Sequence, residues 1–189
     1  MKNSLVMVCF VLLSSLVLGQ TPSESASSKL PLSTDQIAIY RAFLSDYNTG
    51  LDAPINLSDV TEEFKPDRQD LQGCLKGFAP PSTPALLHHF SNEFSDLRNI
   101  RLIDAAHHKI SDPGDAIRKG DSVEHAVKAG FEAGVLRISE ISFDPTHHLA
   151  ALTYSFHCGS LCGNGATVVY ELRDGKWARS QKSCTFWQS

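Results

Sequence analysis

The sequence predicts an α+β fold, with N-terminal helices packed on a four-stranded antiparallel meander. Three observations carry this. From Ser139 to Trp187 the chain alternates apolar and polar residues over successive segments. Within that run, Asp174-Gly175 is a strong hairpin signal. Upstream, apolar residues recur at helical spacing behind capping residues.

The chain opens with Lys2, an apolar run from Leu5 to Leu18, and then small residues. Val17 and Gly19 stand before a plausible cleavage point at Gln20. Residues 1–19 therefore read as a secretory signal peptide, too short for a membrane span of about 20 residues. Residues 20–32 are mostly Ser, Thr, Pro and Glu, a disordered leader with little to bury. Residues 33–189 form a single α+β domain, large enough to hold a core without cross-links.

Ser33 with Gln36 is a capping box that starts a helix at Thr34. Ile37, Tyr40, Phe43, Leu44 and Tyr47 share one face of it, and Gly50 lies just past its end. Signals from Leu51 to Pro81 are weak. Ser58 could cap a short helical turn reaching Phe64, and Asn56-Leu57-Ser58 is a formal glycosylation sequon. Thr83-Pro84 is a helix start whose apolar face would be Leu86, Leu87, Phe90 and Phe94. Ile100 and Leu102 suggest a short strand, and Asp112-Pro113-Gly114 a turn. Asp121 with Glu124 starts a further helix that stops at Gly134.

Four strands follow. Apolar residues change parity between Ile138 and Ile141, which points to a bulge in the first. Asp144 to His147 is a turn. Ala150, Leu152, Tyr154, Phe156 and Cys158 alternate with Ala151, Thr153, Ser155 and His157, the pattern of a half-buried strand. A glycine-rich loop, CGSLCGNG from Cys158 to Gly165, separates it from the next. In this reading Gly159, Gly163 and Gly165 permit the positive φ that a folded-back connection needs. Trp177 to Trp187 closes the sheet.

With 17 Lys and Arg against 21 Asp and Glu, the net charge is −4 and no basic cluster appears. Nucleic acid and anionic membranes are poor partners for such a chain. Of five cysteines, Cys9 falls in the signal peptide. Cys74, Cys158, Cys162 and Cys184 remain, an even number that suggests two disulfides in an exported chain. In a meander Cys158 and Cys184 stand about 10 Å apart, beyond the reach of about 7 Å for a bridge. Cys158–Cys162 with Cys74–Cys184 ranks first, and Cys162–Cys184 with Cys74–Cys158 second.

The order helix, helix, strand, helix, four strands resembles NTF2-like folds, a curved sheet around a pocket. Separately, the CG-x-LCG-x-G loop followed by DGKW resembles a family of uncharacterised exported bacterial proteins. The resemblance implies a secreted or periplasmic location and no particular activity.

Several residues could carry chemistry. Cys158 and Cys162 beside His157 could form a thiol-redox or metal site, although His157 and Cys158 point to opposite faces of a regular strand. His107 or His108 with Asp104 and Asp112 is the best loop constellation for an oriented imidazole. The pairs His88/His89 and His147/His148 each offer one ligand at most. Glu140 lies among apolar residues; turned inward it would be a buried carboxylate with a raised pKa, whereas a bulge could turn it to solvent. Tyr154, Tyr170, Trp177 and Trp187 could line a pocket. No nucleophile elbow, zincin, phosphate-loop or dinucleotide motif appears. The expected function is an exported, non-enzymatic domain without a cofactor, binding a small molecule or an envelope protein. The alternative is a metal or thiol-redox protein built on the Cys158–Cys162 loop.

Overall fold

Helix α1 (Thr34–Tyr47) begins with the expected capping box. The Ser33 hydroxyl accepts from the Gln36 N–H, and the Gln36 side chain accepts from the Ser33 N–H. Ile39, Tyr40, Phe43 and Leu44 are buried on its inner face. This computed structural model describes residues 31–50, 53–78, 86–160, 162–182 and 184–189. The expected signal peptide, most of the leader and the Thr83-Pro84 helix start lie outside the described residues. Leu32, which composition assigns to the leader, packs against the core. Among the described residues no helix is long and apolar enough to cross a membrane.

The four-stranded meander expands into one curled, mixed sheet of eight strands. Strand β1 (Ile55–Ser58) pairs in parallel with β2 (Ile100–Ile103) and with β3 (Val135–Ile138). Strands β3 and β4 (Ser142–Phe143) run antiparallel to β5 (Leu149–Gly159), which pairs along its length with β6 (Cys162–Arg173). β7 (Lys176–Arg179) and β8 (Phe186–Gln188) follow one another along the far edge of β6. The antiparallel part is the one the sequence announces, because each turn there carries a local signature. Asp174 and Gly175, for example, both adopt positive φ between β6 and β7. β1 carries no such mark. Its four residues are all buried, polar Asn56 and Ser58 included, and its partners lie far along the chain.

Four readings change, three of helices and one of a turn. Residues 86–99 contain no helix; the chain there bridges Val60 to His89 and then makes turns. Phe90 and Phe94 still reach the core, edge-on to Tyr40, while Leu86 and Leu87 are exposed. Ser58 belongs to β1, and the nearby helix is α2 (Arg68–Gln72), capped by Asp67. Asp112-Pro113 is not a simple turn but the cap and first residue of α3 (Pro113–Arg118). Helix α4 (Val123–Ala133) starts one residue later than expected, with Ser122 as its cap, and ends before Gly134.

The two faces of the sheet have separate covers. Under α1, a core of Tyr40, Phe43, Leu57, Leu136, Leu152 and Tyr170 fills one side. On the other, Ala151 and Val169 are buried by Phe64, Leu75 and Phe78 from the segment around α2. That segment is fastened to the end of the chain by a Cys74–Cys184 disulfide with a Cα separation of 5.5 Å. Cys158–Cys162 is the second bridge, Cα separation 5.1 Å, closing the hairpin between β5 and β6. These are the first-ranked pairings. The loop between the strands is shorter than expected, since β6 already begins at Cys162.

Candidate functional site

The second face of the sheet is only half covered. Ala151, Thr153, Ser155 and His157 of β5 lie on it, beside Val169, Thr167, Gly165 and Gly163 of β6. The apolar end is sealed by Phe64, Leu75 and Phe78. Beyond it the floor turns to hydroxyls and bare glycine, and a cleft of about 700 Å³ opens between Val60, Glu62, Glu63, Lys65, Leu87, Thr153, Ser155 and Trp187. A neighbouring hollow of about 320 Å³ shares Lys65, Thr153 and Trp187 and adds Asp67, Asp70, Thr167 and Thr185. The larger volume falls within the usual range for small-ligand sites.

Trp187 has an unusual seat. It pairs with Gly165 across the β6–β8 ladder. A Cβ on Gly165 would stand 2.5 Å from the indole Nε1, and one on Gly163 would stand 3.4 Å from Cζ3. At Gly165 only glycine lets the ring lie against the strand; at Gly163 the ring contact is ordinary, and the Phe156 carbonyl, 2.8 Å from such a Cβ, is what leaves no room for a side chain. Neither residue has positive φ; among the loop glycines that role falls to Gly159, at φ 143°. Gly163 and Gly165 therefore floor an aromatic ring and do not build the turn. His157 stands beside that ring, with centroids 5.5 Å apart, and Trp187 remains 40% exposed.

The charges around the cleft are paired. Glu62 meets Arg137 at 3.3 Å and Glu63 meets Lys65 at 2.8 Å. Asp67 caps α2 through the Gln69 N–H. Asp70 is 3% exposed and accepts from the Thr167 hydroxyl at 2.5 Å and the Thr185 N–H at 2.6 Å.

The aromatic candidates separate clearly. Tyr170 is buried core, and Tyr154 packs against Phe43 and Tyr47. Trp177 donates its indole N–H to Asp35 at 3.0 Å. Tyr154 and Trp187 both line the cleft and its neighbouring hollow, and Trp187 is the more exposed of the two. The sequence offered one signal for it, the Gly-Asn-Gly of 163–165 inside an alternating strand, a spacing that marks close approach as well as a turn.

Glu140 turns inward. Strand β3 ends at Ile138; the Ser139 N–H still donates to the Thr153 carbonyl of β5 at 2.9 Å while Ser139 bridges to Glu62, whose carbonyl accepts from the Glu140 N–H. The carboxylate accepts from the Thr61 hydroxyl, from the His88 N–H at 2.8 Å, and pairs with His88 Nδ1 at 2.8 Å. His88 and Glu140 side chains are 13% and 11% exposed. Tyr40 closes the cluster by donating to the Ser139 carbonyl at 2.9 Å. Burial, with the Glu140 charge adding to it, raises the Tyr40 pKa well above its ordinary value, so the phenol stays protonated. A carboxylate that orients an imidazole is the geometry of a general base. The hydroxyl at hand, Thr61, is 1% exposed and sits on the carboxylate instead of on the imidazole. As built, the cluster joins three segments of chain.

The other predicted groups do not converge. Asp104 and His107 pair at 2.5 Å on an open surface, where the Asp104 hydrogen bond raises the histidine pKa. His108 is engaged elsewhere, donating from Nε2 to the Ala133 carbonyl 2.8 Å away. Asp112 is held down to about 2 by the Ser160 N–H, in its role of tying α3 to the β5–β6 hairpin. Cys158 is fully buried and His157 exposed, on opposite faces as alternation requires, so they share no site. Asp70, Cys74 and Cys184 form the one grouping of metal-ligating atoms among the described residues, within 4.8 Å of one another. Both sulfurs are in the disulfide, and a bridged sulfur is not a thiolate ligand.

No family model, curated protein or solved structure matches this chain.

Proposed function

We propose that this chain is an exported, non-enzymatic binding domain whose ligand site is the cleft beside Trp187. The observation that carries the reading is an indole laid against Gly163 and Gly165 and left 40% exposed at a cleft of about 700 Å³. A large aromatic surface held rigidly and kept from burial gains nothing for the fold by being open, and it suits a ligand. The occupant is a small molecule or a projecting group of an envelope protein. Export is supported by the Lys2-to-Gly19 segment and by two bridges, which persist in oxidising compartments. The kinship to NTF2-like folds and to the exported family with the CG-x-LCG-x-G loop belongs to the same proposal. A curled sheet with α1 across one face supports the former.

A fragment screen read by amide and indole NMR shifts tests the site. Hits should concentrate on Thr153, Ser155, Gly165 and Trp187. Hits spread evenly over the surface, or gathered elsewhere, would remove the cleft from consideration.

A further inference from the structure

The chemistry of the cleft narrows its ligand, on the reading above that the cleft is a ligand site. We infer that it takes a neutral saccharide, with a sugar ring stacked on the outer face of Trp187.

Four observations lead there. The indole is fixed from beneath by Gly163 and Gly165 and flanked by His157, so it presents one flat face outward. A π face carries partial negative charge, and the C–H bonds along one side of a pyranose present partial positive charge to it. The floor beside the ring bears the hydroxyls of Thr153, Ser155 and Thr167. Thr153 and Ser155 can each donate and accept, while Thr167, whose proton goes to Asp70, keeps only its acceptor lone pairs, and together they match a ligand whose own groups are hydroxyls. At the rim, Glu62 and Glu63 are neutralised by Arg137 and Lys65, yet keep free lone pairs for sugar O–H donors.

The alternatives fit less well. With Lys65 and Arg137 paired to Glu63 and Glu62, the carboxylates of Asp67 and Asp70 remain in excess along the smaller hollow and no lining cation is left over among the described residues, so phosphates and carboxylates meet an unfavourable field. A quaternary ammonium needs an aromatic enclosure, and the rings of Tyr154, Phe43 and Tyr47 pack on one another instead of facing Trp187. A purely apolar ligand would leave Thr153 and Ser155 without partners.

The test is a titration of the full chain, both disulfides formed, with cellobiose, maltose and N,N′-diacetylchitobiose, and separately with choline and citrate. At least one disaccharide should shift the Trp187 indole N–H together with the Thr153 and Ser155 amides, saturably. Trp187→Ala should weaken that binding about tenfold, equivalent to about 1.4 kcal/mol. Trp187→Phe keeps a smaller ring and a folded edge strand, and should fall between the two. Choline or citrate shifting these groups when no disaccharide does would overturn the saccharide and leave the binding cleft standing. No response to any of the five probes would also overturn it, with the fragment screen deciding the cleft independently. Equal affinity in wild type and both Trp187 variants would overturn it as well.

Discussion

Glu140 holds three segments of chain together by accepting from Thr61, the His88 backbone and the His88 ring within one buried pocket. Removing the carboxylate leaves His88 Nδ1 without its partner and the Thr61 hydroxyl and His88 N–H with only each other's residue to bond, in a place water reaches poorly, at a cost of about 3 kcal/mol. Glu140→Ala should therefore lower the denaturant midpoint markedly, whereas Glu140→Gln, which keeps an acceptor and adds a donor for Nδ1, should lose about a third of that. Equal losses would mean the pocket reads volume and not hydrogen bonding. Asn56 makes the same kind of argument. Its amide donates to the Glu132 and Gly134 carbonyls, both at 2.9 Å, and its oxygen accepts from Arg101 at 2.9 Å. The sequon is thus a structural residue, 1% exposed. Glu140 was legible as a candidate because a lone carboxylate stood among apolar residues, but its direction was not. His88 was hidden by the helix expected around it; read as an extended chain, it comes within reach of Glu140.

Several elements built on local signals formed where expected; the local helix signal before Leu86 did not hold over residues 86–99, and the short strand read at Ile100 and Leu102 formed against remote β1. The α1 capping box, the Asp144 turn and the Asp174-Gly175 hairpin each involve atoms a few residues apart. β1 and the run through Phe90 depend instead on pairing with remote chain, which periodicity cannot register. The junction between α1 and the sheet makes a prediction at this scale. Asp35 accepts from the Trp177 indole and from His147 at 2.9 Å, and those bonds, Trp177 first, hold its pKa below the ordinary value. A depressed carboxylate contributes stability above the unfolded pKa of about 3.9 and loses it as pH falls through the lower folded value. Thermal melts should show a decline below about pH 4 that Asp35→Asn reduces. Its 43% side-chain exposure keeps the effect small and salt-sensitive. An unchanged acid limb in the variant would count against the junction.

For the molecule as a whole, the two bridges differ in what they restrain. Cys158–Cys162 spans 4 residues and Cys74–Cys184 spans 110. Loop-closure entropy puts the first at about 2 kcal/mol and the second at about 4–5 kcal/mol. Replacing each pair by Ser should give melting temperatures in that order, with the larger drop for Cys74 and Cys184; the reverse order would mean that strain or residual structure dominates. Cysteine parity and strand geometry made the pairing readable in advance. What they could not reveal is that Cys74–Cys184 fastens a second cover over the sheet, which stops short and leaves Thr153, Ser155 and Trp187 open. The functional reading depends on that incomplete cover and on the two strand glycines under the indole. The ring-current shift of the Gly163 and Gly165 α-protons tests the arrangement most directly. With Trp187 lying against the strand, the Gly165 α-protons should resonate strongly upfield and return to ordinary positions in Trp187→Ala. Ordinary positions in the wild-type protein would mean the indole does not rest on the strand, and would contradict the account.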